Sequence, residues 1–308
     1  MLGRLRGRAS SAAAPPDDEL FGEDFQRRLE YLALVARRTF RGRTRAERRS
    51  RETGAGVEFA DYRGYAPGDD YRHIDWNIYG RTDRLVLRLY EQEQDLPIYL
   101  LLDCSASMGM GHPSKLVYAK RLAAALAYVG LHHLDRVSIT AFDASLRARL
   151  PPTRGRGRIF AVFEYLRSQA PRGRTDLQTA LSTFAAQNRR RGIAVLISDL
   201  YDTAGFEAGI DQLRFAKFET HVLHLLDPSD TIPTALGDVE LVDAESGERR
   251  LATLSPAVLR RYEQARQQYL ERVRRFCVRK QVPLHEVDTQ VPPEDAVLGI
   301  LRRGGLLR

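Results

Sequence analysis

Three short and mostly apolar segments constrain the fold of this 308-residue chain more than any other feature. They are PIYLLLD (97–103), GIAVLISD (192–199) and THVLHLLD (220–227), with turn-forming and helix-forming sequence between them. Short runs that are apolar at nearly every position predict strands buried on both faces, as in parallel sheets covered by helices. A sheet with one face in water would instead show a polar residue at every second position.

The sequence between and after these three segments predicts helices and further strands. We expect helices over 114–133, 158–168, 176–190, 205–218, 255–278 and 293–303, and further strands over 135–142 and 283–288. ARLPPTRGRG (148–157) is expected to be a loop, and VELVDAESGERRLATL (239–254) a hairpin that turns at Ser246-Gly247. Alternating strands and helices indicate an α/β fold, a three-layer doubly wound and mostly parallel sheet.

The N-terminal third differs in composition and predicts a separate extension. Residues 1–22 are small, polar and proline-containing, which is typical of disorder. Residues 23–95 should contain an amphipathic helix from about Asp24 to Arg38, a basic arm, and a β segment with a strand over 84–93. The α/β domain is then expected to cover 96–308.

The net charge of +8 is concentrated at the start of the chain, where residues 1–51 hold 13 arginines and seven acidic residues. Nucleic-acid binding through the arginine run 37–51 is one interpretation of this excess, and a solvated arm is the other. The first 16 residues carry arginines where a signal peptide needs an apolar stretch, and 122–131 is about half of a membrane span. Two cysteines give no disulfide framework, so we expect a cytoplasmic protein without membrane insertion.

Oxygen-bearing side chains follow the predicted strands at the edge where parallel α/β sheets bind ligands. Asp103, Ser105 and Ser107 end the first buried strand, Thr175 precedes a helix, and Asp199 ends the second buried strand. Hydroxyl and carboxylate oxygens suit a hard cation, Mg²⁺ or Mn²⁺. Neutral hydroxyl ligands leave the ion much of its charge, so that it can attract a carboxylate from another molecule.

This pattern resembles the metal-ion-dependent adhesion site of von Willebrand factor A-like domains. The resemblance implies that Asp103, Ser105, Ser107, Thr175 and Asp199 are the five site positions, and that the protein binds rather than catalyses. A second stretch is similar to the signature of the bacterial domain-of-unknown-function 58 proteins: Val57-Glu58-Phe59, Tyr62–Tyr65, Pro67–Asp70, Arg72 and Ile74–Asn77. That resemblance implies a partnership with MoxR-type AAA+ ATPases, in chaperone-like maturation or assembly of other proteins.

Other hypotheses use the same residues differently. The ion could activate water in a Mg²⁺- or Mn²⁺-dependent hydrolase, although the sequence marks no acid or base. Asp69, Asp70, His73 and Asp75 could form a second metal site or a nuclease-like cluster. We favour instead an ordinary turn, in which Trp76 is buried and the carboxylates are paired with Arg72 and Arg81.

Overall fold

The computed structural model describes residues 20–40, 58–91, 97–230 and 236–302. The structure does not describe residues 1–19 of the segment predicted to be disordered, or residues 41–51 of the basic run 37–51. The chain forms two compact units. The larger unit combines the residues before 37 with those from Pro97 onward, and the smaller unit lies between Arg37 and Leu96.

The larger unit is built on a six-stranded sheet. Its strands are β3 (Ile98–Asp103), β4 (Val137–Phe142), β5 (Leu146–Thr153), β6 (Ile193–Ser198), β7 (Glu219–Leu226) and β10 (Leu284–Asp288). They lie in the order β10-β7-β6-β3-β4-β5, and every pairing except that of β4 with β5 is parallel. The predicted α/β class with a mostly parallel sheet is confirmed.

Six helices of the larger unit follow or connect these strands. They are α3 (Lys115–His132), α4 (Ile159–Arg167), α5 (Leu177–Gln187), α6 (Glu207–Phe215), α7 (Pro256–Lys280) and α8 (Pro293–Arg302). In the parts of the chain that are described, no helix has both the length and the apolar character needed to cross a membrane.

The central strands are mostly apolar because both faces of the sheet are covered. Tyr99 and Leu101 of β3 contribute to a core that also contains residues of α5, α6 and α7. The alternate residues Leu100 and Leu102 are equally buried and point to the opposite face. There α3 approaches so closely that a Cβ added at Gly130 would lie 2.9 Å from Ile98 Cδ1.

The loop prediction for 148–157 is wrong, because residues up to Thr153 belong to β5. This strand lies at the edge of the sheet and pairs antiparallel with β4. The register shifts between Ile139↔Leu150 and Val137↔Thr153, so Pro151 and Pro152 fall within an irregularity of the ladder. An edge strand tolerates prolines there because it needs hydrogen-bond donors on one side only.

The N-terminal helix α1 (Glu23–Phe40) is also part of the larger unit over its first residues, which differs from the predicted segmentation. Leu29 and Leu32 are fully buried. Phe21, which we expected to be disordered, stacks on Phe163 with ring centroids 4.5 Å apart. The Leu20 carbonyl accepts a hydrogen bond from Arg121 Nε at 3.0 Å. These aromatic and backbone contacts are long-range, so local composition does not reveal them.

Within its described residues, the smaller unit contains an antiparallel pair, β1 (Glu58–Gly64) and β2 (Val86–Glu91), and a short helix α2 (Trp76–Thr82) between them. Asp75 caps α2 by accepting hydrogen bonds from the backbone N–H groups of Asn77 and Ile78. This cap explains how a seven-residue helix begins in a segment where the sequence predicted only turns.

The larger unit carries one further β element, the hairpin of β8 (Gly237–Val242) and β9 (Arg249–Leu254). Its turn closes through a hydrogen bond from Gly247 N–H to the Asp243 carbonyl, and Gly247 has a φ of 69°. Glycine adopts this left-handed conformation without strain, so the predicted hairpin and its turn position are confirmed.

Candidate metal centre

The end of β3 presents a carboxylate and two hydroxyls in a tight turn. The backbone N–H of Ser105 donates to Asp103 Oδ1 at 2.9 Å, which folds the chain back toward the strand end. Ser105 Oγ and Ser107 Oγ are then 3.1 Å apart. Asp103 and Ser105 are fully buried, and Ser107 is nearly so. The two hydroxyl oxygens therefore form a preformed pair rather than two separate surface groups.

The end of the neighbouring strand β6 joins this turn. Ser198 Oγ donates to Asp103 Oδ2 at 2.6 Å and so ties the carboxyl ends of β3 and β6 together. Asp199, the next residue, is fully buried as well. Burial, and then the charge of Asp199, raise the pKa of Asp103 well above its ordinary value, although hydrogen bonds from Ser198 and Ser105 partly oppose this. Two buried carboxylates thus lie close together, an arrangement that a cation stabilises.

Thr175 reaches the same edge from a third stretch of chain. The loop before it is bonded to the β3 turn, because Ala106 N–H donates to the Gly173 carbonyl at 3.0 Å. Gly173 has a φ of 75°, which favours glycine at this position. Thr175 itself is buried and lies just before α5, whose N-cap is Asp176. Its hydroxyl donates to Glu245 Oε1 at 2.6 Å, and its backbone N–H lies 3.3 Å from Glu245 Oε2.

A buried lysine that we did not predict also belongs to the site. Lys115 Nζ donates to Asp199 Oδ2 at 2.7 Å and lies 3.2 Å from both carboxylate oxygens of Asp230. Burial alone would lower the pKa of Lys115, but Asp199 and Asp230 outweigh it, so the pKa is raised. The ammonium group therefore stays charged and holds Asp199 in place.

His224 of β7 supports the end of β6 from the side. Its Nε2 lies 3.1 Å from the Asp199 carbonyl oxygen, within hydrogen-bond distance. Burial lowers the pKa of His224 to about 4, so the ring is neutral at physiological pH. A neutral ring that donates from Nε2 fixes the backbone at Asp199, and we assign His224 this positioning role.

The structure brings the predicted residues Asp103, Ser105, Ser107 and Asp199 together at one sheet edge, and the Thr175 loop is bonded to the same turn. Their oxygen atoms fit a hard cation, since no softer sulfur or imidazole donor is part of the set. Within the described ranges, no three His, Cys, Asp or Glu side chains form a metal-binding group. The candidate site differs from such a group because three of its five residues, Ser105, Ser107 and Thr175, carry hydroxyls.

The alternative cluster at 69–75 is divided among separate ion pairs. Asp69 bonds Arg63, Asp70 bonds Arg72, and Asp75 bonds Arg88. The expected pairing with Arg72 is confirmed for Asp70, but Asp69 and Asp75 pair with Arg63 and Arg88 instead of the expected Arg81. The side chain of Trp76 is 60% exposed instead of buried. Trp76 is the first residue of α2, and its ring meets that of Tyr79 edge-on, with centroids 6.1 Å apart.

Comparisons with known proteins agree with the second resemblance. A family profile described as protein of unknown function DUF58 matches residues 61–272, a range that contains all five predicted site residues. An uncharacterized protein of Mycobacterium bovis is 30% identical over 235 residues, which cover 75% of this chain and 74% of that protein. A protein of Mycobacterium tuberculosis matches with the same identity and coverage.

Solved structures with a similar chain path include two bacterial proteins. The hypothetical protein BatB from Bacteroides thetaiotaomicron superposes with a TM-score of 0.42 at 16% identity, over 68% of this chain and 98% of that chain. An aerotolerance-related membrane protein from Bacteroides fragilis gives a TM-score of 0.45 at 19% identity, over 68% and 99%.

The family profile covers more than half of the chain, and the mycobacterial relatives match it over three quarters of its length. The chain therefore belongs to the DUF58 family of proteins of unknown function.

Proposed function

We propose that this protein binds Mg²⁺ or Mn²⁺ at Asp103, Ser105, Ser107, Thr175 and Asp199, and that it uses the ion to bind an acidic side chain of a partner protein. In this proposal the larger unit is a von Willebrand factor A-like domain, and the five residues are its metal-ion-dependent adhesion site. The protein acts as an adaptor, and it binds its partner without chemical turnover.

The observation that carries the proposal is the meeting of three distant stretches of chain at one edge of the sheet. The ends of β3 and β6 are joined through Asp103 and Ser198, and the Thr175 loop is joined through Ala106 and Gly173. All three stretches contribute hydroxyl or carboxylate oxygens, which are the ligands that a hard cation prefers.

The side chains divide into two roles. Ser105, Ser107 and Thr175 supply neutral hydroxyl oxygens that would hold the ion, while Asp103 orients Ser105 through its backbone N–H. When bound, the ion supplies a positively charged position that a carboxylate can enter. Lys115 compensates the charge of Asp199, whereas the groups that donate hydrogen bonds to Asp103 are neutral. A buried carboxylate with neutral donors is stabilised by a nearby cation.

The resemblance to DUF58 proteins suggests the partner, a MoxR-type AAA+ ATPase or one of its client proteins, in chaperone-like maturation or assembly. An acidic residue on that partner would enter the site. A cytoplasmic location is part of the same proposal.

The test is binding to the MoxR-type ATPase of the same organism, measured by biolayer interferometry in Mg²⁺ and in EDTA. We expect binding in Mg²⁺, loss of binding in EDTA, and loss in Asp103→Asn, with an unchanged circular dichroism spectrum. Asp24→Asn, on the exposed surface of α1, is the control and should bind like the wild type. Binding that persists in EDTA and in Asp103→Asn would contradict the proposal.

A further inference from the structure

The tip of the β8–β9 hairpin, residues 243–248, places a carboxylate on the candidate metal centre. Glu245 receives the Thr175 hydroxyl at 2.6 Å through Oε1, and its Oε2 lies 3.3 Å from the Thr175 backbone N–H. The two residues are 70 positions apart in the sequence. Both carboxylate oxygens of Glu245 contact Thr175, so the hairpin reaches the site through this side chain.

The burial pattern shows that Glu245 is where the hairpin tip contacts the rest of the larger unit. Between Glu240 and Leu251 every residue except Glu245 is exposed, including Leu241, Val242 and Leu251. Apolar burial therefore does not hold this part of the hairpin in position. A half-buried acidic residue on a hairpin that leaves Leu241, Val242 and Leu251 exposed is the reverse of ordinary packing, which indicates a specific polar contact.

The turn is built to present this carboxylate. Asp243 Oδ1 accepts hydrogen bonds from the backbone N–H groups of Glu245 and Ser246 and from Ser246 Oγ. These bonds fix the backbone on either side of Glu245 and leave its own side chain free to point at Thr175. The hydrogen bonds from Ser246, and to a smaller extent the charge of Arg174, lower the pKa of Asp243. Arg174 precedes Thr175, so the loop attracts the tip electrostatically as well.

Thr175 can serve Glu245 and a cation together. A hydroxyl that donates its proton to a carboxylate keeps its oxygen lone pairs for another contact. We infer that Glu245 is an internal acidic ligand of this site, which holds the position that a partner's carboxylate must take. The hairpin is thus a built-in competitor that a protein partner displaces. This inference rests on the proposed function, because it assumes that the site holds a divalent cation.

The first experiment tests docking of the hairpin without metal. Amide hydrogen exchange of the full chain in EDTA is compared for the wild type, Glu245→Ala and Glu248→Ala. Glu248 lies on the same tip but is exposed and pairs with Arg250, so it is a matched control. We expect amides of 240–251 to exchange at least about tenfold faster in Glu245→Ala only, because this variant loses the hydrogen bonds that Thr175 donates to the charged carboxylate. Equal exchange in all three proteins would overturn the docking contact.

The second experiment tests competition, with acetate as the probe carboxylate and Mn²⁺ as the ion. Relaxation of the acetate methyl protons by protein-bound Mn²⁺ should be weak in the wild type and in Glu248→Ala, and several-fold stronger in Glu245→Ala. Equal relaxation in the three proteins, with Mn²⁺ bound to each, would overturn this inference alone. A wild type that binds no Mn²⁺ would contradict the proposed function, and the inference would fall with it.

Discussion

Lys115 occupies a position that its own helix disfavours. It is the first residue of α3, where the aligned peptide dipoles repel a positive charge, and its side chain is 1% exposed. Asp199 and Asp230 offset this cost through contacts of 2.7 and 3.2 Å. Removing the ammonium group would leave the fully buried Asp199 without its counter-charge, which is costlier than losing the attraction itself.

We therefore expect Lys115→Met to lower the free energy of unfolding by about 3–5 kcal/mol, the range for breaking a buried ion pair on one side. Lys280→Met is the control, since Lys280 contacts Asp211 at a similar distance of 2.8 Å but both side chains are partly exposed. That variant should cost at most about 1 kcal/mol. Urea denaturation measures both, and similar losses in the two variants would refute the role given to Lys115.

The residues of the site differ in how far the sequence reveals them. Asp103, Ser105 and Ser107 form one local motif, and Thr175 and Asp199 follow strand and helix boundaries, so all five could be named in advance. Lys115 and Glu245 could not, because their partners lie 84 and 70 positions away. One signal existed for Lys115, a cation at the first position of a mostly apolar helix, where the peptide dipoles disfavour positive charge. Glu245 carried none, since DAESGE is typical of any exposed turn.

Among the elements, the close packing of α5 against α6 depends on one glycine. A Cβ at Gly209 of α6 would lie 2.7 Å from the Leu177 carbonyl oxygen, at the first residue of α5. Gly80 of α2 is a helical glycine with open space, since nothing lies within 4 Å of the corresponding Cβ. The two positions separate the steric effect of a methyl group from its effect on helix propensity.

Gly209→Ala should destabilise the protein by about 1–3 kcal/mol, as overpacking of a well-filled interior does. Gly80→Ala should instead raise stability by about 0.5–1 kcal/mol, because alanine loses less backbone freedom in a helix. Thermal unfolding followed by circular dichroism gives the sign of each change. A stabilising Gly209→Ala would show that the two helices are less tightly packed than described.

Helices and strands were predicted correctly where the hydrophobic pattern of the sequence was strong. The predictions failed where long-range strand pairing determines the structure. The central strands β3, β6 and β7 could be predicted because strands that are buried on both faces are mostly apolar. Strand β5 could not, since Pro151 and Pro152 are typical of loops and only the edge position accommodates them. Helix α2 begins at the Asp75 cap and is too short to show a helical repeat.

At the scale of the whole molecule, the parallel arrangement of β3 and β6 places the site. Parallel strands end at the same edge, so residues that follow β3 and β6 meet there, and the loop before α5 completes the set. The sheet thereby fixes oxygen atoms from three stretches of chain within one buried region. A rigid arrangement of donors binds an ion without the cost of ordering loops.

A Mn²⁺ titration of the full chain, with free Mn²⁺ followed by electron paramagnetic resonance, tests whether this protein binds a divalent cation at the proposed site. We predict one Mn²⁺ site in the wild type, and an affinity for Mn²⁺ at least about tenfold weaker in the double variant Ser105→Ala/Ser107→Ala. Ser138→Ala, which removes a buried hydroxyl bonded to the Leu150 carbonyl on the edge pair β4–β5, should bind like the wild type. Absence of binding in the wild type, or equal affinity in all three proteins, would contradict the metal site.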